Sequence, residues 1–258
     1  MREQVLRKEM QEHTYAIMNN VEDSHWWFVA RRRVIKSLLG RLNLPTDSAI
    51  LEVGCGTGGN IEMLSGFGDL TCIEYDEVAA QMARERKRVQ VFPGELPDGL
   101  PELPQKFDIV TALDVIEHID DDRASIKALS SLLESTGRLV VTVPAFNFLW
   151  SQHDVENFHK RRYRKRDLIN LCDQCGLKID YISYFNFWLF PPVALVRLVR
   201  KILPSEEVWQ DMRVPNPLVN RVLQTIFASE RLMVGKFSLP FGSSLVAVMS
   251  SASDQQEQ

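Results

Sequence analysis

The run Ile50-Leu51-Glu52-Val53-Gly54-Cys55-Gly56-Thr57-Gly58-Gly59-Asn60 decides the fold. An apolar strand breaks there into a glycine-rich turn, and a helix opens immediately after it. Gly54, Gly56 and Gly58 can take positive φ and let a ligand lie against the main chain. The unpaired N–H groups at the start of the following helix attract an anionic group.

Glycines alone leave two cofactor classes open, because Gly54, Gly56 and Gly59 also satisfy GxGxxG, the dinucleotide fingerprint. Glu52 discriminates between them. It stands two residues before the first glycine, where a dehydrogenase keeps an apolar residue, and an acid there can bind an ammonium group. Downstream, the apolar run Leu70-Thr71-Cys72-Ile73 ends in Glu74, placed to accept hydrogen bonds from both hydroxyls of a ribose, and Tyr75 can lie on an adenine. S-adenosylmethionine carries an α-amino group, an α-carboxylate, a ribose and an adenine, which Glu52, the loop, Glu74 and Tyr75 match in chain order.

At this point the chain resembles the class I S-adenosylmethionine-dependent methyltransferases, over about 49–144 with 244–250 as a last strand. The stretch Phe107-Asp108-Ile109-Val110-Thr111-Ala112-Leu113-Asp114-Val115-Ile116-Glu117-His118 is similar to that family's fourth strand and its exit, and Gly137–Pro144 to the fifth. The resemblance implies a Rossmann-like, seven-stranded α/β sheet whose last two strands form an antiparallel hairpin. It also implies cofactor contacts from Cys55 and the glycines, from Asp114 and Val115, and from Glu95 and Leu96 after Pro93-Gly94, where relatives hold adenine. The function it implies is methyl transfer to a small-molecule or lipid-linked acceptor. A non-catalytic S-adenosylmethionine-binding regulator is the alternative, and an NAD(P)-dependent oxidoreductase a more distant one.

Composition sets the bounds. With 258 residues, 45% hydrophobic and 25% charged, the chain suits one α/β domain with additions. A formal net charge of −4 gives no global attraction to nucleic acid, so no nucleic-acid partner is expected. Cys55, Cys72, Cys172 and Cys175 are scattered as reduced, packing thiols, and no second pair completes a zinc site with Cys172 and Cys175. The first turns, with Arg2, Glu3, Arg7, Lys8 and Glu9, have no apolar signal segment, so a cytoplasmic protein is expected.

Four regions follow. Residues 1–48 read as two helices, with Trp26, Trp27 and Phe28 ahead of Arg31-Arg32-Arg33, and the resemblance implies that they fold over the cofactor as an N-terminal lid. Residues 49–183 alternate strand-length apolar runs with amphipathic stretches, the pattern of a parallel sheet covered on both faces. Residues 184–241 form an insert far longer than a hairpin loop, the expected place for acceptor-specific structure. Residues 242–258 are a last strand and a polar tail. Within the insert, 185–201 reads as a basic, amphipathic segment with interfacial aromatics, suited to packing on the sheet or to peripheral contact with the inner membrane face.

Asp114, Glu117 and His118 share one side if Asp114 opens a helical turn at the strand's carboxyl end. His118 can then take a proton from the acceptor. The D-x-x-E-H spacing resembles the E-x-x-E-H metal motif of ubiquinone-pathway O-methyltransferases, but Asp114 shortens one ligand and another histidine must be recruited from His153 or His159, so no metal is expected. Past the fifth strand, His153 is a second catalytic candidate. His159, just ahead of the basic run Lys160–Arg166, and Arg162 and Tyr163 within it are candidates for acceptor binding, as is Trp27 from the N-terminal helices.

Overall fold

The computed structural model describes residues 13–86, 89–202 and 213–252. The earliest turns of the lid, the middle of the insert and the polar tail lie outside these residues.

Seven strands form one sheet in the order β3-β2-β1-β4-β5-β7-β6: β1 (Ser48–Val53), β2 (Gly68–Glu74), β3 (Gln90–Pro93), β4 (Phe107–Leu113), β5 (Leu133–Pro144), β6 (Leu177–Phe185) and β7 (Ser244–Ser251). β7 runs antiparallel to both β5 and β6, and the other pairs are parallel, as the resemblance implies.

Alternate residues of each strand feed two cores. Leu51, Val110, Leu139 and Val141 pack with α5 (Asp122–Ser131) and α7 (Lys165–Gln174) on one face. Ile50, Ile109, Val140, Val246 and Val248 pack with α2 (Trp26–Leu39) on the other. Side chains of a strand point to opposite faces, so a sheet covered twice reads as an uninterrupted apolar run.

A helix over 13–21, here α1, and α2 form the lid. α2 starts where His25 accepts the Trp27 N–H at 3.3 Å, and it buries Ala30, Val34, Ile35, Leu38 and Leu39, a helical stripe. The short α3 (Ile61–Leu64) follows β1, α4 (Glu77–Arg86) follows β2, and α6 (Gln152–Glu156) follows β5. The insert supplies α8 (Phe190–Ile202) and α9 (Pro217–Ala228), and α9 lies along α2. Asn220 joins them, accepting the Trp26 N–H at 2.8 Å and donating to the Ser24 carbonyl at 2.8 Å.

One buried acid ties the end of the insert to its beginning. Glu230, fully enclosed just after α9, accepts the N–H groups of Phe187 at 2.7 Å and Trp188 at 3.1 Å. Burial raises its pKa to about 7 against the lowering effect of those bonds. Replacing it leaves two part-buried donors without their acceptor, which costs about 1–3 kcal/mol. Glu230→Ala should therefore lower unfolding stability in urea by that amount, with Glu230→Gln less affected.

Candidate active site

β1 and β4 are neighbours, while the chain leaves β1 toward β2 and leaves β4 toward β5. The carboxyl ends of these two strands form the switch point where open α/β sheets bind ligands. Gly54 (φ 73°) and Asp114 (φ 59°) both turn left-handed here, and the two loops touch: a Cβ on Gly54 would stand 2.6 Å from a Val115 methyl. A cavity of about 1570 Å³ opens above them.

The glycine loop forms the floor. Gly54, Cys55 and Gly56 line the cavity, and the Gly56 N–H donates to Glu74 Oε2 at 2.7 Å. Glu74 also accepts the Asp76 N–H at 3.1 Å, and burial raises its pKa despite both bonds. Gly58 (φ 88°) serves packing instead, since a Cβ there would meet Ile61 and Ala83, and it does not line the cavity. Glu52 is likewise enclosed behind the loop. It accepts from Asn60 Nδ2 at 2.8 Å, its Oε2 has no partner, and desolvation, opposed by the Asn60 bond, raises its pKa to about 8. Asn60 therefore stands between Glu52 and the cavity. Tyr75, Glu95 and Leu96 line the far side.

The lid supplies residues that sequence reading missed. Tyr15 lines the cavity beside Tyr75 and Glu74, and burial raises its hydroxyl pKa. Glu22 accepts a hydrogen bond from Thr57 Oγ1 at 2.6 Å, directly over the loop. Arg86 on α4 latches this segment, reaching Glu22 at 2.8 Å, Asp23 at 2.9 Å and the Asn19 carbonyl at 2.9 Å. Trp27 lines the cavity with the Arg31 guanidinium 5.4 Å from its ring centre. Arg31, read only as part of a basic triplet, is buried, pairs with Asp114 at 2.6 Å and donates to Thr142 Oγ1 at 3.0 Å.

The Asp114–His118 block departs from the expected helical turn. Only Ile116–His118 is helical, as one 3₁₀ turn, and Asp114 swings to Arg31. Glu117 is fully buried, with no hydrogen-bond partner for either carboxylate oxygen, and desolvation and then Asp114 raise its pKa well above the usual range. His118 opens onto the cavity; the surrounding protein, then His159, pull its pKa down to about 4.

Across from it, Asp154 is fully buried and engaged on every side. Its Oδ1 accepts from Arg162 Nε at 2.7 Å and faces His159 Nδ1 at 2.8 Å, while Oδ2 accepts from the second arm of Arg162 at 2.9 Å. Burial alone would raise its pKa, but the bonds from His159 and Arg162 outweigh that and lower it. Arg162 also donates to the Ala145 carbonyl at 3.1 Å, so its fork is not available to an acceptor anion as expected. Tyr163 is a second correction. It is buried, donates to Asp122 at 2.9 Å and lies away from the cavity. Much of the rest of the basic run is structural too, with Lys160 on Asp120 and Arg161 on Asp122.

Since Asp154 takes His159 at Nδ1, the Nε2 of that ring is left to face its neighbours. The ring centres of His118 and His153 lie 4.7 Å and 6.1 Å away, and all three histidines line the cavity. One ligand atom each from Glu117, His118 and His159 lies within 4.8 Å of the others, so these three could hold a divalent ion.

A cavity at this edge of such a sheet, floored by a glycine loop and flanked by buried carboxylates, suits a cationic, nucleoside-bearing cofactor, and defines a cofactor-binding α/β domain. The model of the methyltransferase domain family matches residues 27–182, and the chain belongs to that family. It is 27% identical over 161 residues to a probable S-adenosylmethionine-dependent methyltransferase of Mycobacterium tuberculosis, covering 61% of this chain and 57% of that protein. A ubiquinone biosynthesis O-methyltransferase of Xanthomonas campestris is 32% identical over 108 residues, 40% of this chain and 45% of its own. The chain thus spans about half the length of the curated relatives it matches.

In fold, it is similar to a chain from the complex between the Haloferax volcanii Trm112 methyltransferase activator and a methyltransferase (TM-score 0.62, 14% identity, 94% of this chain and 96% of that one). It is also similar to Haemonchus contortus phosphoethanolamine N-methyltransferase 2 in complex with S-adenosyl-L-methionine (TM-score 0.54, 16% identity, 83% and 51%). The dinucleotide reading of GxGxxG falls with this placement in the methyltransferase domain family.

A carboxyl held near pKa 8 binds a cation better once it loses its proton. Titration calorimetry with S-adenosylmethionine should show affinity rising from pH 7 to 9, with Glu52→Gln binding at least tenfold more weakly and lacking that part of the rise. Arg86→Ala, which removes the charge-assisted contacts to Glu22, Asp23 and the Asn19 carbonyl and so frees the lid, should raise the cofactor Kd about tenfold, a change of ~1.4 kcal/mol.

Proposed function

We propose that the protein transfers the S-adenosylmethionine methyl group to an oxygen or nitrogen of an acceptor with an apolar body, and that His159 takes the acceptor's proton. The observation that carries this is the Asp154–His159 pair at 2.8 Å on the wall of the cofactor cavity. Asp154, fixed by Arg162, keeps the Nδ1 proton of His159 in place, leaving the Nε2 lone pair for the acceptor. His118, proposed from the sequence, stands beside the same point with its pKa pulled down to about 4, and His153 flanks it.

Bound S-adenosylmethionine supplies an electrophilic methyl on a positively charged sulfur. Asp114 is paired with Arg31, and Glu52, Glu74 and Glu117, whose burial raises their pKa, can each give up a proton to an arriving positive charge, which favours that cation in the ground state. The chain's contribution to rate is therefore orientation, exclusion of water by the lid and proton removal. The cavity exceeds the ~300–1,000 Å³ of a single small-ligand site, leaving room for a sizeable acceptor beside the cofactor. Leu189, Val193 and Leu223 make part of its wall apolar.

A second reading rests on the unpartnered Glu117 carboxylate. A divalent ion held by Glu117, His118 and His159 would neutralise it and polarise an acceptor oxygen, with Asp154 orienting His159 from behind. Activity unchanged in chelator supports His159 as base alone; loss with rescue by Mg²⁺ or Mn²⁺ supports the ion.

With an accepted acceptor, His159→Ala should lower kcat about 10²-fold or more, the scale of general-base catalysis. Asp154→Asn should lower it less, and both should leave cofactor Kd within twofold. Cofactor binding without turnover across broad hydroxyl and amine panels would favour a non-catalytic, regulatory protein.

A further inference from the structure

We propose that α8 and α9 form a docking face for an anionic lipid bilayer. Among the described residues, most of the large apolar side chains left exposed belong to the insert. They are not scattered there. On α8, Val193, Val196 and Arg197 turn toward the cavity, whereas Leu195 (62% exposed), Leu198 and Val199 share the opposite side of the helix. On α9, Asn220, Leu223 and Phe227 turn inward, toward α2 or the cavity, and Leu218 (73% exposed), Val222 and Ile226 form an outward stripe at four-residue spacing.

A helix apolar on both sides calls for cover on both sides. The inner sides have it, from the lid and the cavity wall. The outer sides are bare, and patches of this kind on an otherwise polar surface mark an interaction site.

Charge selects the occupant. Neither helix contains an acidic residue, while their sequences carry Arg197, Arg200, Lys201 and Arg221. Across residues 186–241 basic residues outnumber acidic ones, in a chain whose formal net charge is −4. A second copy of the same face would set cation against cation, whereas anionic headgroups complement it. Arg197 and Lys201 bond inward to the Leu149 and Phe148 carbonyls at 2.8 Å and 2.7 Å and fix α8 against the body; Arg197 also faces Asp154 at 4.0 Å, so the positive potential of the face comes from the exposed Lys201 and Arg221. Trp188, half exposed ahead of α8, suits the headgroup level. Among the described residues no helix is long and apolar enough to cross a membrane, so the contact is peripheral.

Both helices also line the cavity, and Val196 is at once cavity wall and exposed surface. An acceptor dissolved in the bilayer would reach the cofactor along that side chain; this corollary rests on the methyl-transfer reading, while docking itself does not.

The test is flotation of the whole protein with phosphatidylcholine vesicles containing 30% phosphatidylglycerol (~30 mol%, a strongly anionic surface), against pure phosphatidylcholine. Leu195→Glu/Leu198→Glu and Leu218→Glu/Val222→Glu change exposed positions only, and S-adenosylmethionine binding and thermal midpoint, run in parallel, report whether the fold and cofactor site survive. The expected result is recovery with anionic vesicles, at least tenfold weaker recovery with neutral ones, and at least tenfold loss in either double variant with cofactor affinity unchanged. Equal recovery of wild type and variants, or recovery with neither vesicle, would overturn the proposal. So would a dimer by light scattering that the variants break and vesicles do not recruit. Failure of the methyl-transfer reading would appear instead as lost cofactor binding with flotation intact.

Discussion

The pair between the buried Arg31 and the half-buried Asp114 ties the three parts of the molecule together. Arg31 belongs to the lid helix α2, Asp114 to the exit of β4, and the same guanidinium reaches Thr142 on β5. An ion pair out of water contributes little net stability, because desolvation offsets attraction, but leaving one member alone is costly. The pair therefore acts as a register pin. With it in place Trp27 sits over the cavity, Asp114 keeps its left-handed backbone, and Glu117 turns into the protein rather than toward solvent.

What the sequence reveals and hides follows from the range of the interactions. The glycine turn, the strand runs and α7 over Lys165–Gln174 depend on neighbours a few residues away, so their pattern is visible in the chain itself. The reading of Arg162 and Tyr163 as free acceptor-binding groups fails for the opposite reason. Charge was visible, but the carboxylates that absorb it, Asp120, Asp122 and Asp154, are brought in by the fold, and a local pattern cannot say which cation stays free. Tyr15 and Glu22 were hidden likewise, since nothing near them in sequence marks their approach to a loop some forty residues on. The misplacement of Asp114 has a different cause. D-x-x-E-H suggested a helical turn, and the left-handed residue that prevents it is held by Arg31 from another element.

Glu52, Glu74 and Glu117 share a condition: each is buried deeply enough to hold its proton more tightly than a carboxyl in water. Their hydrogen-bond complements are incomplete to different degrees, from two backbone donors on Glu74 to none on Glu117. Such groups respond to an arriving positive charge by giving up protons, so cation binding and proton release are linked in this cavity. The arrangement favours a positively charged ligand before any single contact to it is specified.

The antiparallel β7 lies between β5 and β6, and Phe185 at the end of β6 is the register partner of Ser244 at the start of β7. The insert's two ends thus leave the sheet side by side. A segment entering and leaving at one point can be lengthened, shortened or exchanged without altering the register of any strand, because closing a longer loop costs little extra entropy. On the proposed function, in which the insert walls the acceptor side of the cavity, cofactor handling and acceptor choice would be separable units of inheritance: a different segment grafted at the same doorway would bring new acceptor chemistry to an unchanged donor site.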